Sequence, residues 1–137
     1  MNLLFPMMFR TTRYLAYELN DALKPFELHQ AQWAILHLLY VNGEMPLTTI
    51  WKTLLVEAPT VTRTVKRLEE LGYVTRQQGV DKREKIIALT PLANEKAPMI
   101  LEAIERYEET MMAPLTLEEQ QQLFQLLAKV KGEKDGK

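Results

Sequence analysis

Thr60, Thr62, Arg63, Lys66 and Arg67, two hydroxyls and three cations, recur at helical spacing. A hydroxyl both donates and accepts, a guanidinium donates through a planar fork, and an ammonium is a compact point charge. That set suits a polyanion with acceptors along its edges. Thr and Arg near the start of such a stripe can donate to base edges, while Lys66 and Arg67 suit phosphates. A second cluster follows at Asp81, Lys82 and Arg83. A basic tip of this kind can reach a minor groove, whose negative potential favours arginine. The acid in it is read as pairing with a nearby guanidinium and aiming it. The plainer readings are a solvated helix face, with Lys66 and Glu70 as an i,i+4 pair, and ordinary turn residues at the tip.

These residues need elements to hold them. Val61, Val65 and Leu68 recur at steps of four and three, the apolar side of a helix from about Ala58 to Leu71 that closes at Gly72. Pro59 is tolerated only in a first turn, so the helix starts beside it. A shorter helix precedes it, from an N-cap at Thr48 to about Leu55. After Gly72 the period changes. Tyr73–Arg76 and Lys85–Leu89 are short and β-prone around the polar stretch 77–84, which reads as a hairpin. A helix of about fourteen residues spans about 21 Å, and a major groove about 12 Å wide accepts one.

The outer segments are helical too. Leu4, Met8, Leu15, Leu19 and Leu23 mark a first helix ending near Pro25, and Trp33, Leu36, Leu39 and Tyr40 a second from about His29, stopped by Val41-Asn42-Gly43. Thr90-Pro91 opens a helix to about Met112, which Pro98 should kink rather than end. Thr116-Leu117-Glu118-Glu119 is a capping box ahead of the stripe Leu123, Leu126, Leu127 and Val130. The expected fold is mainly α with a small β-wing. It is a single domain over 1–132, with the helix-turn-helix at about 46–71 and the wing at 73–90. Dimerisation helices are expected at about 2–25 and 91–131, and a frayed tail at 133–137.

Composition fits. The 137 residues are 47% hydrophobic, enough for a core. Net charge is −1, but residues 61–90 hold seven Lys/Arg against four acids, a net +3 between acidic flanks. No run of about 18 uncharged apolar residues reads as a membrane span, and Met1–Met8 resembles a first helical turn rather than a secretory signal. The absence of cysteine removes disulfides, zinc–thiolate sites and thiol redox sensing; a reducing cytoplasm fits this. Among the five glycines none stands in a G-x-G spacing, and no nucleophile–base pair or phosphate loop is present, so an enzyme is not expected. His29 and His37, eight apart, have no acid between them to complete a metal site. Trp33, Trp51, Tyr14 and Tyr17 are read as core or dimer packing.

Three motifs carry a resemblance. Leu28-His29-Gln30-Ala31-Gln32-Trp33 resembles the L-T-x-A-Q-W opening of the second helix in the MarR (multiple antibiotic resistance regulator) family. Pro59-Thr60-Val61-Thr62-Arg63, with Val65 to Val74, resembles its recognition helix and exit. Asp81-Lys82-Arg83-Glu84-Lys85 with Ile87-Ala88-Leu89-Thr90 is similar to its wing signature, D-x-R-x-x-x-[IV]-x-L-T. The resemblance implies a homodimeric, cytoplasmic regulator, a repressor, on a near-palindromic operator in double-stranded DNA. It places Thr60, Thr62 and Arg63 at the major groove, and Arg83, buttressed by Asp81, in the minor groove. It implies no cofactor, and release by a small amphipathic effector held between the dimer helices and the winged domain. The alternative is a winged-helix protein-interaction module without DNA binding. Three positions depart from the pattern: His29 for a capping Thr, Trp51 for a small residue, and Leu55 for a glycine. A leucine there predicts a turn that avoids positive φ.

Overall fold

The computed structural model describes residues 1–81 and 83–133. The elements run α1 Leu4–Leu23, a 3-10 turn Lys24–Phe26, α2 Gln30–Asn42, β1 Met45–Pro46, α3 Leu47–Leu54 and α4 Ala58–Glu70. They continue with β2 Val74–Gln78, β3 Lys85–Leu89, α5 Pro91–Met112 and α6 Leu117–Val130. The chain divides into two compact units, Met1–Ile104 and Glu105–Lys137.

In the first unit the apolar stripes converge as their periods require. Leu23, Ile35, Leu36, Leu39, Ile50, Val61, Val65, Leu68, Ile87 and Ile100 are all essentially inaccessible to solvent. Each such side chain contributes about 1.5–3 kcal/mol by leaving water. Trp33 is buried among them, its ring tilted against His37 and Tyr40, so it packs as expected. Two tyrosines tie distant segments together. The Tyr40 hydroxyl donates to the Ala93 carbonyl at 2.6 Å, and the Tyr73 hydroxyl to the Phe26 carbonyl at 3.1 Å. Burial pushes the Tyr40 phenol up to about 12, with a smaller contribution from Tyr73, and raises Tyr73 as well, with Glu27 adding to it.

The sheet has order β1-β3-β2, antiparallel throughout. The two-residue strand β1 was not expected; Met45 lies opposite Ile87 and Pro46 opposite Ile86. Strand β3 matches the expected span. Strand β2 runs two residues past Arg76, because Gln77 and Gln78 pair with Ile86 and Lys85.

Helix ends follow local chemistry with two corrections. His29 is the residue before α2, and its backbone N–H donates to Gln32 Oε1 at 3.0 Å, so Gln32 closes this end. Helix α3 begins at Leu47 behind Pro46, not at a Thr48 cap. Its other end overturns the glycine argument: Leu55 is left-handed, at φ 56° and ψ 41°. The turn geometry that glycine would provide is present without glycine. Pro98 lies inside α5, and the helix continues through it.

In the second unit Thr116 caps α6 as the sequence requires. Thr116 Oγ1 accepts from the Glu119 N–H at 3.1 Å, and Glu119 Oε1 accepts from the Thr116 N–H at 2.9 Å. No residue of α6 is buried.

Candidate nucleic-acid interface

Helix α4 has two unlike sides. Val61, Val65 and Leu68 are buried, and Thr62, Arg63, Lys66 and Arg67 are exposed. The hydroxyls are partly committed inward: Thr62 Oγ1 donates to the Ala58 carbonyl at 2.9 Å, which leaves its lone pairs to solvent. Thr60 Oγ1 accepts from Arg63 Nη2 at 3.3 Å, so these two side chains form a local pair. Arg67 reaches Glu70 at 3.8 Å with both side chains more than half exposed, a contact worth little in water. Glu70 therefore meets Arg67 at i,i+3, where the sequence suggested Lys66 at i,i+4. Among the described residues Arg63 and Lys66 make no ion pair, and their charge is open to an external anion.

The exit from α4 is fixed by Gly72 at φ 86°, where an added Cβ would stand 3.2 Å from the Leu92 side chain. The Thr90 hydroxyl donates to the Gly72 carbonyl and accepts from the Ala93 N–H at 3.2 Å. This joins the end of α4, the end of β3 and the start of α5.

A further brace escaped the sequence reading. Arg76 on β2 donates through Nε to Glu69 Oε1 on α4 at 3.1 Å, with each side chain 37% exposed. Arg76 is thus a strut between wing and helix rather than a free cation. Nothing in the local spacing of Glu69 and Arg76 announces this, because it depends on how β2 folds back.

At the wing tip the Gly79 N–H donates to the Glu84 carbonyl and the Glu84 N–H to the Asp81 carbonyl, both at 2.9 Å. Asp81 Oδ1 accepts from the Arg83 backbone N–H at 3.0 Å. Among the described residues Asp81 makes no ion pair with a guanidinium. It orders the backbone of Arg83 and leaves the exposed side chain unconstrained. Lys82 lies outside the described residues. The arrangement is thus an exposed basic stripe on one helix and an arginine at a turn ordered by an aspartate. The exposed charge at Arg63, Lys66, Arg67 and Arg83 is positive.

The MarR family model matches residues 28–85, the span from α2 to the wing. A Bacillus subtilis protein described as an uncharacterized HTH-type transcriptional regulator, YwoH, is 46% identical over 104 residues, 76% of each chain. Among solved structures, reduced AbfR bound to DNA is 27% identical with TM-score 0.79, covering 96% of this chain and 91% of that one. A probable transcriptional regulator from Pseudomonas aeruginosa is 26% identical with TM-score 0.81, covering 90% and 93%. The ligand-free form of an organohalide-sensing transcriptional regulator is 27% identical with TM-score 0.84, covering 95% and 78%.

Proposed function

The chain belongs to the MarR family of transcription regulators, a family of winged-helix DNA-binding proteins and not of enzymes, and on that premise we propose how it engages DNA. Helix α4 enters the major groove, with Thr60, Thr62 and Arg63 facing base edges and Lys66 and Arg67 near phosphates. Arg83, on the turn that Asp81 orders, enters the adjacent minor groove, and Lys82 adds to the charge of the tip. The observation that carries this reading is the division of α4: an apolar side buried in the body, and an opposite, exposed side of cations, of which Arg63 and Lys66 make no ion pair among the described residues. The AbfR structure has the same fold in complex with DNA, which supports it. The protein-interaction alternative gives no use for that basic side.

The working form is a homodimer on a near-palindromic operator, acting as a cytoplasmic repressor and released by a small amphipathic molecule. Helix α1 exposes Leu4, Phe5, Met7 and Phe9, and α6 exposes Leu123, Phe124, Leu126, Leu127 and Val130. Apolar surface on that scale is uncommon on a monomer and suits a second copy. With no cysteine in the chain, the release signal is not oxidation of a thiol. Among the described residues no helix is long and apolar enough to cross a membrane.

Fluorescence anisotropy against genomic fragments retained by the protein tests the reading. Several phosphate contacts predict an affinity that falls steeply with salt. An affinity that does not change with salt overturns it.

A further inference from the structure

Leu55 is the least economical residue of the helix-turn-helix. Its backbone is left-handed at φ 56°, where a Cβ is crowded and glycine is at ease, and its side chain is 84% exposed. Neither burial nor backbone preference accounts for a leucine there. Val56 beside it is 37% exposed and Pro59 is exposed in the first turn of α4. With Trp51 and Lys52 these residues line an open cleft of about 570 Å³ at the threshold of α4.

The place of this apolar ledge in the fold limits what it can meet. Pro59 precedes Thr62, Arg63 and Lys66 by three, four and seven residues, so it continues their stripe on the same side of α4. The chemistry limits it further. Glu57 lies in the cleft, and a carboxylate is repelled by a phosphate but tolerated at a base edge, where cytosine offers a donor. Lys52, its Nζ 5.5 Å from the Trp51 ring centroid, is the one cation lining the cleft among the described residues. The one apolar group that a base presents in the major groove is the C5-methyl of thymine.

We propose that Leu55, Val56 and Pro59 form a specificity ledge that receives thymine methyl groups beside the contacts of Arg63. This rests on the DNA reading of α4. It adds to that reading a site whose selectivity is apolar, where the stripe itself is polar and cationic. The strained backbone keeps a branched apolar side chain at the turn, where glycine would leave nothing to touch a methyl.

The test removes one methyl at a time. In the operator recovered from retained fragments, each thymine is replaced singly by deoxyuridine. Affinities are then measured for the wild type and for the double variant Leu55→Gly, Val56→Ser. Glycine suits the observed φ, and a thermal melt together with light scattering confirms that the variant is folded and assembled as the wild type is. At one or two thymines per half-site the wild type should lose about fourfold in affinity, the worth of one buried methyl-sized group. The variant, which keeps only Pro59 of the ledge, should lose less than about twofold at the same replacements. Equal losses in both proteins at every thymine, or no loss in either, overturn the ledge while leaving a salt-dependent DNA binder intact. A wild type with no salt-dependent binding to any fragment overturns the ledge and the DNA reading together.

Discussion

Helices α4 and α6 are nearly the same length, 13 and 14 residues, and both carry apolar residues at steps of three and four. Yet Val61, Val65 and Leu68 of α4 are at most 2% exposed, while Leu123, Phe124, Leu126, Leu127 and Val130 of α6 range from 41% to 69%. Periodicity declares that a face will be covered. It does not say by what. Helix α4 finds its cover within its own chain, and what remains outside is available for function. Helix α6 has no buried residue at all, so its apolar stripe stays open in the single chain.

The largest expected effect lies on the side of α4 that is already closed. Leu68→Ala leaves a cavity in the sealed core and should cost about 2–5 kcal/mol of stability, read by urea or thermal unfolding at fixed protein concentration. A loss well under 1 kcal/mol would show that this face is not held as tightly as its burial indicates. The same kind of change on α6 should act on association instead. Leu126→Glu sets a charge on the open stripe, leaves the helical content unchanged, and raises the dimer dissociation constant at least about a hundredfold, or about 2.7 kcal/mol. Light scattering at micromolar concentration checks it. A variant that stays dimeric, or a wild type already monomeric, breaks the assignment of α6 to the interface.

The polar faces differ as well. Helix α4 exposes Arg63, Lys66 and Arg67, whereas α6 opens on Glu118 and Glu119. If anionic DNA is the partner, charge removal should matter at the wing and α4 and not on α6. Arg83→Ala should weaken operator binding at least about tenfold, about 1.4 kcal/mol, while Lys129→Ala on α6 changes it less than about twofold. Equal losses from the two would mean that only bulk charge is sensed. An unaltered affinity in folded Arg83→Ala would remove that residue from the site.

Much of this was legible in the sequence, and the gaps have identifiable causes. The span of α4, the whole of β3 and the Thr116 capping box follow from local rules, because their apolar period, β-branched run and capping residues are written in consecutive residues. The two residues of β1 are too few to show an alternation; they are a strand only because β3 lies beside them. Gln77 and Gln78 are neither β-branched nor aromatic and are strand for the same reason. The Asp81 reading went to the wrong atoms: a backbone N–H two residues away is a nearer partner than a mobile guanidinium. The Arg76–Glu69 strut could not be read at all, since it exists only once β2 has turned back onto α4.

Leu55 is where a local rule met a stronger constraint. The absence of glycine argued for a turn without positive φ, yet the residue sits at φ 56°. The helices on either side explain this. Ile50 on α3 and Val61 on α4 are both buried, and sealing them fixes the path between the two helices whatever residue occupies the bend. Burial of two aliphatic side chains contributes about 3–6 kcal/mol, against about 1–2 kcal/mol for one non-glycine residue in the left-handed region. The packing therefore wins and the leucine is strained. Leu55→Gly alone should relieve that strain, with a net gain of about 1 kcal/mol because glycine also loses more freedom on folding. In a chain of this size that is a rise of a few degrees in the melting midpoint. An unchanged or lower midpoint would mean that Leu55 is held by contacts its exposure does not reveal. A higher midpoint with weaker discrimination between thymine and uracil would place the strain at the service of recognition, and would set this exposed residue apart from the exposed stripe of α6.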